Sequence, residues 1–239
     1  AGQVTTNRFA ALYKSGIEDL GAKIDFEFTP GFSHLLRYGA SYTNHRFTPG
    51  ATSLQLEAGA ENALDTLIGS SEIRSNEAFA YVEDEWELSE RIRVNVGLHG
   101  ALLAVGGERY PSLQPRFACN IRLPDRSALK FSYAQMSQFV NLLTNEGLSL
   151  PTDLWVPSTE RIRPQQSAQY AVGWARTYGD WELSLEGYWK DMDGLLSYKE
   201  GASFVFGLDA DWQDQVVQGV GRSVGFEVFL QRKVGDTKG

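Results

Sequence analysis

The sequence contains one cysteine, Cys119, so no internal disulfide can form. Its three histidines, His34, His45 and His99, stand far apart, and no ligand spacing for a structural metal is present. There is no G-x-S-x-G nucleophile elbow. Gly219-Val220-Gly221 followed by Gly225 has the wrong spacing for a dinucleotide loop, and no βαβ unit surrounds it. No run of 18 apolar residues occurs, which excludes a transmembrane helix but not a membrane strand, whose alternation scores weakly on hydropathy. Basic residues are also short. Lys and Arg number 22 against 30 Asp and Glu, and the net charge of −8 argues against nucleic acid as a partner. On these grounds no cofactor and no metal is expected, and the protein is not expected to be an enzyme.

What the sequence has is alternation. Trp181, Leu183, Leu185, Gly187 and Trp189 interleave with Glu182, Ser184, Glu186, Tyr188 and Lys190, the period of a strand between two unlike environments. About ten such runs follow one another, and no helix of useful length is predicted. The first lies near Asn7–Lys14, and a turn at Ser15-Gly16-Ile17-Glu18 is expected before the second. Tight turns are expected at Pro30–Ser33, Ser89-Glu90, Pro124–Arg126 and Tyr178–Asp180. Long loops are expected at Pro49–Ser71, with room for a helical turn at Glu61–Ile68, and at Val140–Gln165 and Gly201–Gly219. Gly106-Gly107-Glu108 opens a medium loop. Tight turns at one edge and long loops at the other, joined by strands of bilayer-crossing length, describe an outer-membrane barrel. The predicted fold is therefore all-β, an antiparallel meander of about ten long strands forming a partial transmembrane β-barrel.

The strand faces follow from the same period. Val94, Val96, Leu183, Leu185, Phe226 and Val228 should face lipid, and Arg93, Lys130, Glu182, Glu186, Lys190 and Glu227 the lumen. Trp86, Trp181, Trp189, Tyr38 and Tyr42 sit near strand ends, where headgroup girdles would lie. Cys119 falls on the apolar face. Glu83, Glu85 and Glu87 share a face with Tyr81 and read as lumen wall. Asp209, Asp211 and Asp214 have oxygen-ligand spacing, but without the glycine and distant Glu of a calcium loop they read as a solvated acidic loop. A soluble β-sandwich alternates in the same way; the dense charge on the polar faces and the one-sided turns argue against it.

Tyr81-Val82-Glu83-Asp84-Glu85-Trp86, followed by Asn95-Val96-Gly97-Leu98, resembles a strand pair of TonB-dependent outer-membrane receptors. Leu113–Arg116 before Leu129–Tyr133 resembles the next pair. Leu148–Pro157 resembles a loop of the Bacteroidetes-type receptors, and Gly219–Glu227 a later strand start. The resemblance implies a barrel of about 22 strands filled by an N-terminal plug. Ala1-Gly2-Gln3-Val4 is no signal peptide, and Gln231–Asp236 reads as a strand entering a turn. Residues 1–239 are thus expected to be part of the barrel domain, without the plug and the remaining strands.

The implied function is binding of an extracellular nutrient and its import with TonB-transmitted energy. The location would be the outer membrane of a Gram-negative bacterium. The implied partners are outer-membrane lipid, a small ligand of siderophore, vitamin or glycan class, and TonB through the plug. The alternatives are a passive porin, which a plug would exclude, and a soluble carbohydrate-binding sandwich, which would need no detergent. An outer-membrane protease or lipase is disfavoured because no Ser/His/Asp grouping falls on adjoining strands. The long loops should share one extracellular rim and carry the ligand site. Asn141, Thr144 and Asn145 offer hydrogen bonds, Trp155 a stacking surface, and Arg161 and Arg163 an anion clamp. Phe204, Phe206 and Trp212 are the candidates on the second loop. Trp155 and Pro157 can equally pack the loop onto the rim.

Overall fold

The alternating runs pair with their sequence neighbours into one antiparallel sheet. The computed structural model describes residues 7–58, 63–69, 72–143, 154–200 and 211–232. Side chains are described for 15–48, 72–143, 154–200 and 211–232. The strands are β1 (Asn7–Gly31), β2 (His34–Ala58), β3 (Ala63–Gly69), β4 (Ile73–Ser89), β5 (Ile92–Val105), β6 (Glu108–Arg122), β7 (Ser127–Gln138), β8 (Val140–Leu143), β9 (Leu154–Pro157), β10 (Gln165–Tyr178), β11 (Trp181–Tyr198) and β12 (Val216–Arg232). The sheet order is β1-β2-β4-β5-β6-β7-β10-β11-β12, with β3 beside β2, and β8 and β9 form a separate hairpin. Among the described residues β1 and β12 do not pair, so the sheet is open.

Several boundaries differ from the sequence expectation. The expected turn at Ser15–Glu18 is instead a register shift between Lys14 and Gly16 inside one 25-residue strand. Pro49–Ser71 is largely strand rather than loop. β2 runs on to Ala58 against β1, and β3 pairs back on it where a helical turn had room. Gly106-Gly107 is a two-residue hairpin turn, with both residues at positive φ (58° and 95°), a conformation that suits the twist of the flanking strands and favours glycine. The last long loop ends at Gln215, because β12 begins at Val216.

Register separates the two faces. Glu87, Arg93, Asn120, Lys130, Gly173, Glu186 and Glu227 fall in one row across the strands from β4 to β12. Trp86, Val94, Cys119, Phe131, Val172, Gly187 and Phe226 fall in the adjoining row, on the opposite face. The β8–β9 hairpin touches β1, β2 and β11. A hairpin of two four-residue strands can reach strands that far apart in the sheet only from its concave side. The charged row shares that side and lines the lumen; the apolar row is convex. Val96, Val172, Phe226 and Val228 are exposed there, and Val94 is buried between its register partners Trp86 and Cys119.

Aromatic rows bound the convex apolar band. At the tight-turn edge, Trp86 stacks on His34 at 5.1 Å between ring centroids, and Arg232 lies over Trp181. At the loop edge, Tyr133, Tyr170 and Trp189 share a row, with 4.9 Å between the two tyrosine rings. The next row outward is polar, with Gln135, Asp191 and Arg222. Trp181 and Trp189 are eight residues apart, roughly 20 Å of height on a tilted strand. That approaches the apolar band of an outer-membrane barrel and puts Leu185 at mid-depth.

The β6–β7 ladder ends at Arg116↔Ala134, although both strands continue. Pro115 explains this. It pairs with Leu98 of β5 in an unbroken ladder, so its backbone polar groups point toward β7, where it has no N–H to donate. Above it the strands part, bridged by a 2.6 Å hydrogen bond between the Ser112 and Ser137 hydroxyls. The parting begins just above the Tyr133 row, where the outer surface turns polar and water can satisfy the freed groups.

These depths predict a sharp contrast between neighbouring residues. Leu185→Arg should destabilise the bilayer-folded barrel by about 2–4 kcal/mol, whereas Glu186→Gln should be mild. Folding titrations into lipid vesicles measure both, and equal tolerance would contradict the face assignment.

Candidate functional site

The buried core lies at the loop edge, inside the mouth of the sheet. The β8–β9 hairpin is two-faced. Asn141, Leu143, Leu154 and Val156 are buried, while the register partners Leu142 and Trp155 are exposed. Leu143, Leu154 and Val156 pack with Ile162, Trp212 and Val216, and Ile73, Leu196 and Tyr198 close the cluster. A second cluster of Leu103, Val105 and Phe139 packs against Ile73, Ala101 and Tyr110. Ile73, Ala101, Leu103, Val105 and Tyr110 all have the parity of the lumen face. The inner wall is therefore charged near the tight turns and apolar near the mouth, where loops fold onto it.

Polar contacts fix this cap. Tyr110 Oη donates to the Thr159 carbonyl at 2.7 Å, and Ser158 N to the Phe139 carbonyl at 2.8 Å. The Thr159 hydroxyl bonds Gln213 Oε1 at 2.6 Å, tying the loop before β10 to a 3-10 turn, Trp212–Gln215, before β12. Arg161 pairs with Asp211 at 3.3 Å and also with Asp214. Asp211 caps the same turn by accepting from Gln213 N at 3.1 Å. Gln218 of β12 exchanges bonds with the Arg163 backbone, at 3.1 and 2.8 Å. At its inner end, Gln165 Nε2 donates to Asn141 Oδ1 at 2.7 Å.

The described candidates thus gather at one mouth, in different roles. Asn141 is 2% exposed and buttresses the hairpin, with Nδ2 unpartnered. Pro157 is fully buried and packs the loop. Trp212, also 2% exposed, is the centre of the cap core. Arg161 joins the two loops through its side chain, and Arg163 ties the first loop to β12 through its backbone. Trp155, 41% exposed, is the candidate that presents a free apolar surface. Thr144, Asn145, Phe204 and Phe206 lie outside the described residues, as does Asp209. Thr159, Gln213 and Gln218, which bind loop to loop, were not singled out from sequence, because nothing local marks a contact between residues more than fifty positions apart. Among the described residues no group of three or more His, Cys, Asp or Glu is placed to hold a metal.

Below the cap the lumen wall carries polar ladders. Arg37 pairs with Glu27 and Glu85, and Arg93 with Glu85 and Glu87. Tyr81 crosses Gly39 to donate to Asp25 at 2.6 Å. A Cβ on Gly39 would sit 2.8 Å from the Tyr81 ring and 2.6 Å from the Ile24 carbonyl, so the crossing requires glycine. His45, 6% exposed, bridges Asp19 at 2.7 Å and Glu77 at 3.3 Å across three strands.

The family model described as "TonB dependent receptor-like, beta-barrel" matches residues 2–235. Among solved structures, the copper transporter OprC superposes with a TM-score of 0.65 at 14% identity, covering 95% of this chain and 36% of that one. The FrpB iron transporter from Neisseria meningitidis gives 0.62 at 12% identity, covering 92% and 33%. The siderophore receptor PirA from Acinetobacter baumannii gives 0.55 at 17% identity, covering 96% and 35%. At these identities the likeness is one of fold. The chain spans about a third of the length of these proteins. No curated protein sequence matches it.

The link between the loops should respond to pH. The Asp214 carboxyl is held below its usual range, chiefly by the hydrogen bond from Arg161; burial opposes this, and the charges of Arg161 and Lys199 add smaller lowering effects. A folded value below the unfolded one means that the link is fully present above about pH 4 and is lost as pH falls through the folded value. Amide protection across 154–164 and 211–215, measured against the intrinsic exchange rate at each pH, should therefore fall on acidification from about pH 5 to about pH 3. Arg161→Gln should show the lower protection already at the higher pH and no further step. Trp212→Ala should loosen both loops at any pH, with a cost to the cap of about 3–5 kcal/mol.

Proposed function

This chain belongs to the TonB-dependent receptor-like β-barrel family, whose barrels lie in the outer membrane of Gram-negative bacteria, and on that premise we propose that it forms part of the barrel wall and ligand mouth of a nutrient importer. The whole receptor binds a scarce nutrient outside the cell and draws it inward with energy passed from TonB through a plug. The observation that carries this reading is the division of the inner wall. Its lower part is charged and hydrogen-bonded, suited to a polar occupant of the lumen. Its upper part is apolar and capped by two interlocked loops.

Ligand recognition lies at the mouth. Trp155 and its register partner Leu142 offer the exposed apolar surface of the cap. Arg161 holds the two loops together behind it, and Arg163 ties the first loop to β12 through its backbone; Thr144, Asn145, Phe204 and Phe206 are further candidates for ligand contact. The ligand class is a siderophore, vitamin or glycan. No covalent chemistry is assigned to the protein. The long loops face outward from the cell, the tight turns face the periplasm, and the apolar band contacts membrane lipid.

Uptake of labelled ferric siderophores, cobalamin and oligosaccharides, compared in cells with and without the whole receptor and with and without TonB, tests the proposal. Import of one class that needs both is expected. Leakage of all small solutes without TonB would instead indicate a porin. Once the ligand is known, Trp155→Ala should weaken binding roughly tenfold through lost apolar contact, with the amount of folded barrel unchanged. Unchanged affinity would move recognition away from the cap.

A further inference from the structure

Under the cap, where β6 and β7 part, lies a cavity of about 500 Å³. Its lining includes Gln114, Arg116, Met136, Gln138, Gln165 and Lys190. Arg116 and Lys190 stand in one register row, separated by Ala134 and Gln169. Three inter-strand spacings put their backbones roughly 14 Å apart along the wall.

These two cations differ from Arg37 and Arg93 on the same wall. Arg37 and Arg93 each pair with two carboxylates, whereas Arg116 and Lys190 pair with no described residue. The nearby acids are engaged. Glu77, which also lines the cavity, bonds His45, and Glu83 accepts from Asn95 at 2.7 Å. Arg116 Nε is buried without a hydrogen-bond partner, and so is Nδ2 of Asn141, whose Oδ1 receives Gln165 from the cavity lining. Arg116 Nε and Asn141 Nδ2 are donors, and a buried unmatched donor is costly; His99 Nε2, whose ring lies near Arg116, is likewise buried and unpartnered. The group that completes this site is an acceptor, and beside two cations it is an anion.

We propose that Arg116 and Lys190 form an anion-binding pair on the inner wall below the cap, taking a polycarboxylate or phosphate-type group. The proposal rests on the import reading above and specifies the charge of what passes the mouth or sits beneath it. The separation of the two residues suits a multiply charged group held by two long side chains. Gln114 of the lining, beside Arg116, supplies donors for its remaining oxygens. The anion comes either from the imported nutrient or from an acidic segment of the receptor lying in the lumen.

Citrate is a suitable probe, titrated calorimetrically into the detergent-purified whole receptor. The variants are Arg116→Gln with Lys190→Gln together, and Lys130→Gln as a control on the same wall outside this cavity. If the nutrient supplies the anion, citrate binds the native receptor, and the double variant weakens it at least about tenfold while the control does not. If the receptor supplies it, citrate does not bind. The double variant then lowers the melting temperature and speeds amide exchange in the lumen segment, and the control again does neither. Citrate binding that is equal in all three proteins overturns the pair. So does the absence of both citrate binding and a stability difference. TonB-dependent uptake is read in cells carrying the same variants. Uptake retained alongside either negative result removes the anion site and leaves the transport reading standing, whereas uptake absent from the native receptor removes that reading whatever citrate does.

Discussion

Inside a bilayer no water satisfies a backbone N–H or C=O, so every strand that crosses must be paired along its crossing length. That requirement shapes the whole chain. It demands long strands, neighbour-to-neighbour pairing and short turns, and it confines irregular backbone to the ends. The β6–β7 parting obeys it. The ladder fails at Pro115, one row beyond the Tyr133–Tyr170–Trp189 belt, where the convex surface has turned polar. A proline two rows lower would have left carbonyls facing lipid.

The strand faces were legible because membrane strands write their environment into a period of two. Trp181 to Trp189 alone gives the apolar face, its girdles and its lumen side. Loops without such a period were harder to read. Val140–Leu143 and Leu154–Pro157 are too short to show alternation, yet they pair and bury five of their eight side chains. The continuation of β2 past Pro49 is not legible in the sequence, because a proline and a glycine together normally mark a stop; partners on β1 and β3 override that signal. Gly106-Gly107 reads as the opening of a loop because glycine pairs serve both loops and tight hairpins, and only register decides between them.

Site residues were legible as a group and not as individuals. The sequence placed Trp155, Arg161 and Trp212 on facing loops, and the structure brings them to one mouth. It could not say which indole would be buried. Trp212 follows Asp211, an ordinary cap for a short turn, and its burial depends on Leu143, Leu154 and Ile162 arriving from another loop. Arg161 read as a clamp for an incoming anion, and the acids that occupy it, Asp211 and Asp214, lie fifty residues downstream.

The cap core joins Ile73 at the start of β4 to Val216 at the start of β12. Each neighbouring strand pair can zip from its own turn, at modest loop-closure cost. The cap cannot, because its partners remain apart until the sheet has curved through β11 and β12. The mouth is therefore the last part of this structure to be assembled, and until then the Trp212 and Leu154 side chains have no home. A stalled intermediate would carry finished strands and an exposed, sticky rim, the feature by which a periplasmic chaperone would tell it from the completed barrel.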